Sequence, residues 1–176
     1  PVRVRSNRLR TGLVGYDLIV ADEQAADLWG SLTEAGVSAI GQEAWSVLSV
    51  ESGWPRDGVD MGEGNIPLEA ERLAPGLDWD KGCYIGQEVI AMMHYRGKPN
   101  KHLRGVAYDG EEVLAGQEVF SSAGKKVGTV GRVVQSPGLG KALGLCVIKR
   151  KHAEPGTQLQ LENGDPVEVV ALPVTH

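Results

Sequence analysis

The spacing of hydrophobic positions changes once along the chain, near residue 100. Before that point helix and strand patterns mix. Val2 to Arg5 alternates apolar and charged, and Gly15-Tyr16-Asp17-Leu18-Ile19-Val20 is rich in β-forming residues, so both segments predict strands. Ala25, Leu28, Trp29 and Leu32 recur at helical spacing behind Asp22, a candidate N-cap, and Gly36 follows as a stop. A second helix is predicted over about Gln42–Glu51, with Ala44, Val47 and Leu48 on one face. Gly53 to Asp80 is rich in Gly, Pro and acids and reads as mostly loop. A third helix is predicted to start near Ile85, because Ile85, Val89 and Met92 fall at i, i+4 and i+7.

From Leu103 onward the period is two. Strands are predicted over 103–108, 117–121, 126–134, 142–148, 157–161 and 167–172, separated by glycine-containing turns. Asn163-Gly164 is a strong hairpin turn between the last two. Evenly spaced short strands of this kind suggest a small antiparallel barrel or sandwich. The expected fold class is therefore α+β, with a mixed region over 1–98 and an all-β domain over 101–176.

Composition narrows the function classes. The 176 residues carry 18 Lys and Arg against 23 Asp and Glu, a net charge of −5, which argues against a surface built wholly for nucleic acid. Two cysteines far apart provide no CxxC and no ligand quartet, and a reducing compartment fits them. No apolar run approaches the ~20 residues of a membrane span, and the start has no apolar signal core. The chain opens without Met on a strand-like pattern, so it is expected to begin inside a longer protein. Charge is uneven: residues 1–80 are net −8, whereas 81–104 are net +4, with Lys81, Arg96, Lys98, Lys101 and Arg104 against Glu88. Arg3, Arg5, Arg8 and Arg10 form a second basic cluster. Either cluster suits an anionic ligand or a solvated surface.

The stretch Lys81-Gly82-Cys83-Tyr84-Ile85-Gly86-Gln87-Glu88 is the richest in chemistry. It sets a thiol and an ammonium just ahead of a predicted helix N-terminus, whose free N–H groups and partial positive charge favour a thiolate and lower the thiol pKa. The same features suit a structural cysteine in a capping turn. Cys146, within an apolar strand pattern, reads as a buried inert thiol. Asp57, Asp60 and Glu63 read as a solvated acidic loop, and no His pair has metal-ligand spacing.

Lys81 to Glu88 resembles the K-G-C-[FY]-x-G-Q-E motif of the YgfZ family, folate-binding relatives of the glycine-cleavage T-protein, an aminomethyltransferase. Gly41, Ala44, Leu48, Glu51, Gly53, Pro55 and Gly58 resemble a G-x-x-A-x-x-x-L-R-x-E-x-G-x-P-x-x-G pattern shared by both groups, and Ile66-Pro67-Leu68-Glu69 resembles their [IT]-P-x-E segment. Leu13 stands where the T-protein pattern has Glu, and Ser49 where it has Arg. No segment matches the T-protein's N-terminal half with its catalytic Asp. Cys83 sides with the YgfZ group.

The resemblance implies the later part of a ferredoxin-like α+β region followed by a six-stranded β-barrel. It further implies a cytoplasmic protein, or a mitochondrial-matrix one in a eukaryote. The implied role is a folate-linked accessory protein for iron–sulfur cluster assembly or repair, and thereby for tRNA modification, rather than a turnover enzyme. A tetrahydrofolate derivative is the implied cofactor, and iron–sulfur client proteins the implied partners. Carried onto this sequence, Cys83 is the reactive thiolate and Lys81 its activating or anion-binding neighbour. Tyr84 and Gln87 contact the ligand, and Arg96 and Lys98 meet a folate glutamate tail. The alternatives are an aminomethyltransferase of T-protein type, a folate-dependent one-carbon transferase, or the folate module of a larger demethylating enzyme.

Overall fold

A computed structural model describes residues 2–7, 13–95, 97–110 and 115–174. Strands β1 (Arg3–Asn7) and β2 (Gly15–Ile19) form an antiparallel ribbon, followed by helices α1 (Asp22–Glu34) and α2 (Gln42–Glu51). Two 3-10 turns, Pro67–Glu69 and Glu71–Gly76, punctuate the long connection to α3 (Gln87–Tyr95). Six strands follow: β3 (Lys101–Tyr108), β4 (Glu118–Phe120), β5 (Lys126–Ser136), β6 (Lys141–Lys149), β7 (Gln158–Leu161) and β8 (Pro166–Val170). They close into an antiparallel barrel in the order β3-β6-β5-β4-β7-β8. The expected α+β class with a later six-stranded barrel is therefore the observed one.

Alternation builds the barrel. In β7 and β8 every second residue is buried, and Leu159, Leu161, Val167 and Val169 fill the interior with Val106, Val119, Val130, Cys146 and Ile148. Strand β6 departs from alternation, since Ala142 to Cys146 are all buried. Its even positions face the barrel interior, while Leu143 and Leu145 face outward into a second core with Val50 of α2, Met61, Ala70 and Leu103. A strand covered on both faces needs a continuous apolar run, which Ala-Leu-Gly-Leu-Cys-Val-Ile supplies.

Two helices differ from expectation. Asp22 is the first residue of α1 rather than its cap, and Ala21 takes the cap position without a side-chain bond. Helix α1 buries none of its residues, and Trp29 is 60 % exposed. Helix α3 starts at Gln87, not Ile85, because Gly86 has φ +90° and cannot join a right-handed helix. The expected apolar face of Ile85, Val89 and Met92 is exposed, and Ile90 is the buried residue instead.

Candidate functional site

The segment Lys81–Glu88 lies on the surface ahead of α3. Gly86 makes the turn, and the Tyr84 N–H donates to Gln87 Oε1 at 3.2 Å, tying the first helical residue back to the loop. The Lys81 ammonium sits over the Tyr84 ring, 4.5 Å from its centroid, so the cation rests on a π face. Trp79 stacks on His94 of α3 at 3.8 Å and 20°, and His94 meets Tyr95 edge-on at 4.7 Å. These ring contacts hold the preceding loop against α3.

Cys83 is a free, exposed thiol. It stands four residues before the first helical residue, beyond the first turn where the helix-end field is concentrated. Of the expected site residues, Lys81, Tyr84 and Gln87 are brought together, and Lys98 is exposed with no contact to them among the described interactions. Arg96 lies outside the described residues, as do Arg8 and Arg10 of the N-terminal basic cluster. Cys146 is fully buried, and desolvation pushes its thiol up to about 12. A thiol reagent is therefore expected to label one cysteine, Cys83, in the folded protein and two after unfolding. Peptide mapping of the labelled chain checks this, and native-state labelling of Cys146 would contradict it.

A different cluster occupies the junction of α2 with the barrel. The register of β5 against β6 shifts between Val130 and Val133, which places Gly131 and Arg132 at a bulge. A bulge re-aims the side chain that follows it. The Arg132 N–H donates to Asp60 Oδ1 at 2.7 Å and its Nε to Asp60 Oδ2 at 2.8 Å. Its Nη1 donates to Ser49 Oγ at 2.9 Å and its Nη2 to the Trp54 carbonyl at 2.7 Å. Asp60 also accepts from the Arg56 N–H at 2.7 Å, and its side chain is wholly buried. Gly131 makes the approach possible, since a Cβ there would lie 2.5 Å from Asp60 Oδ1.

The expected solvated acidic loop is thus corrected at Asp60, whose partner enters from 72 positions along the chain. Beside this cluster a cavity of about 710 Å³ is lined by Gln42, Trp45, Ser46, Trp54, Arg56 and Arg132, among others. Sequence reading missed these residues; the Gly131-Arg132 step within an apolar strand was the one available signal. None of Lys81, Cys83, Tyr84, Gln87 or Lys98 lines this cavity.

Residues 101–175 match the family described as the glycine cleavage T-protein C-terminal barrel domain. The aminomethyltransferase of Chlorobium luteolum is 31 % identical over 157 residues, covering 86 % of this chain and 42 % of the relative. That of Nostoc sp. is 33 % identical, covering 86 % and 40 %. The crystal structure of glycine cleavage system aminomethyltransferase T from Bartonella henselae superposes with a TM-score of 0.75 at 18 % identity, over 94 % of this chain and 48 % of that one. The chain has the fold of the aminomethyltransferase T-protein, and its residues 101–175 form the C-terminal barrel domain of that protein.

This corrects the expected YgfZ-type role in iron–sulfur assembly. Identity spread over 157 residues of named aminomethyltransferases outweighs an eight-residue surface motif, and it favours the alternative reading. The chain spans less than half the length of these T-protein relatives. Among the described residues no helix is long and apolar enough to cross a membrane.

Proposed function

We propose that this chain takes part in a folate-dependent one-carbon transfer of the aminomethyltransferase type, with a reduced folate as its ligand. The likeness to aminomethyltransferases over 86 % of the chain carries this reading. The junction cavity supports it: its size suits a cofactor, Trp45 and Trp54 offer indole faces for a planar ring, and Arg56 offers a guanidinium for a carboxylate. Arg132 fixes the Trp54 carbonyl and so holds that wall in place. In this reading residues 1–98 form the folate-handling region and 101–176 the supporting barrel. Lys81, Cys83, Tyr84, Gln87 and Lys98 line no part of this cavity, so in this reading they do not anchor a folate bound there.

Titrating the full chain with tetrahydrofolate, followed by tryptophan fluorescence and calorimetry, tests the proposal. Saturable quenching is expected, weakened about tenfold or more in Trp45→Ala, for the loss of a stacked aromatic contact and the area it buries. Cys83→Ala is expected to keep binding, since Cys83 does not line the cavity. Absence of saturable binding by the wild-type chain would overturn the reading.

A further inference from the structure

A second cavity lies on the other side of the 57–65 loop, between that loop and one rim of the barrel. Its volume is about 460 Å³. Three lysines line it: Lys101 opens β3, Lys149 closes β6 and Lys126 opens β5. These strands are consecutive in the barrel, so the three cations crowd one rim. Lys101 and Lys149 are directly opposed across the ladder. Opposed residues on antiparallel strands point to the same face, and like charges so placed repel.

Little in the fold offsets that repulsion. Lys149 Nζ donates to the Lys126 carbonyl at 2.8 Å, which leaves its charge uncancelled and holds it over the start of β5. Lys126 pairs with Glu118, on β4. Half-buried Lys101 has no ion pair or side-chain hydrogen bond among the described residues. The one acidic residue lining the cavity is Asp60, and its carboxylate is consumed by Arg132 and the Arg56 N–H. Val59, Val127 and Val147 supply apolar walls, and low-dielectric walls concentrate the field of the lysines. In a chain of net charge −5, this rim is a local positive concentration.

We propose that this cleft is a binding site for a small, multiply charged anion bearing at least two carboxylates or phosphates. Lys101 and Lys149 grip one anionic group between them, and Lys126 takes the second. The site is separate from the tryptophan-lined cavity, from which the 57–65 loop divides it, and it does not depend on folate binding there.

The test is calorimetric titration of the full chain at low ionic strength with citrate and with tripolyphosphate. It compares the wild type, Lys101→Gln/Lys149→Gln, and a control of equal charge change, Arg5→Gln/Lys141→Gln. Binding is expected in the wild type and the control and is expected to weaken by about tenfold or more in the cleft variant, for the loss of two charge-assisted contacts. The cleft variant is expected to melt no lower than wild type without ligand, since it loses a repulsion. Tighter citrate binding assigns the site to carboxylates, and tighter tripolyphosphate binding to phosphates. Equal weakening in both variants, or no binding of either probe to wild type, would overturn the proposal.

Discussion

Arg132→Met is expected to destabilise the folded chain by about 3–5 kcal/mol, the range for removing one partner of a buried ion pair. The loss is large because Asp60 would remain wholly buried with its charge uncompensated. Ser49 Oγ and the Trp54 carbonyl would lose their donor as well. Urea unfolding of wild type and variant measures the difference. The companion Asp60→Leu/Arg132→Met is expected to recover much of it, because two apolar groups leave no orphan charge. The recovery separates charge burial from simple loss of packing. Ser49→Ala removes one acceptor and is expected to cost about 1 kcal/mol. A cost below about 1 kcal/mol for Arg132→Met would show that the junction does not hold the loop.

Leu145→Ala is expected to cost about 2–5 kcal/mol, the range for truncating a buried leucine. Leu145 is fully buried in the core shared by β6, α2 and the loop, where the surrounding strands restrict collapse into the space left behind. Trp29→Ala provides the contrast. Trp29 belongs to a well-patterned helix but is 60 % exposed, so its loss is expected to stay within about 0.5 kcal/mol. Thermal or urea unfolding of both variants side by side decides the matter. Comparable losses would mean that α1 is packed more tightly than its exposure indicates.

These two expectations show where stability and pattern part company. Ala25, Leu28, Trp29 and Leu32 have the spacing of a core-facing helix, yet α1 buries none of its residues. Periodicity reports which residues share a face, not whether anything covers that face. In the barrel the relation holds. The alternating strands from residue 101 onward were legible because each inward side chain meets others from the same barrel, so a local period of two coincides with burial. Strand β6 fits too, its unbroken apolar run reflecting a core on each side.

The candidate sites were legible to different degrees. Cys83 and its neighbours drew attention through residue type, and the structure joins Lys81, Tyr84 and Gln87 locally, as neighbours within seven positions must nearly always be. The same motif misdirected the functional reading, because eight adjacent residues weigh less than likeness distributed over the whole fold. Asp60 was read as solvated because Asp57, Asp60 and Glu63 lack the spacing of a cation site; its partner is an arginine 72 positions away.

The sequence by itself determined the class of the fold, most strand positions, the extent of α2 and the turn at Asn163-Gly164, where glycine supplies φ +90°. All of these depend on interactions between residues close along the chain. Only the tertiary structure decided that Asp60 is a buried anchor, that Arg132 is re-aimed by a bulge, and that three lysines from three strands meet at one rim. Strand order and register bring such groups together, and both are set by long-range pairing that no local pattern encodes.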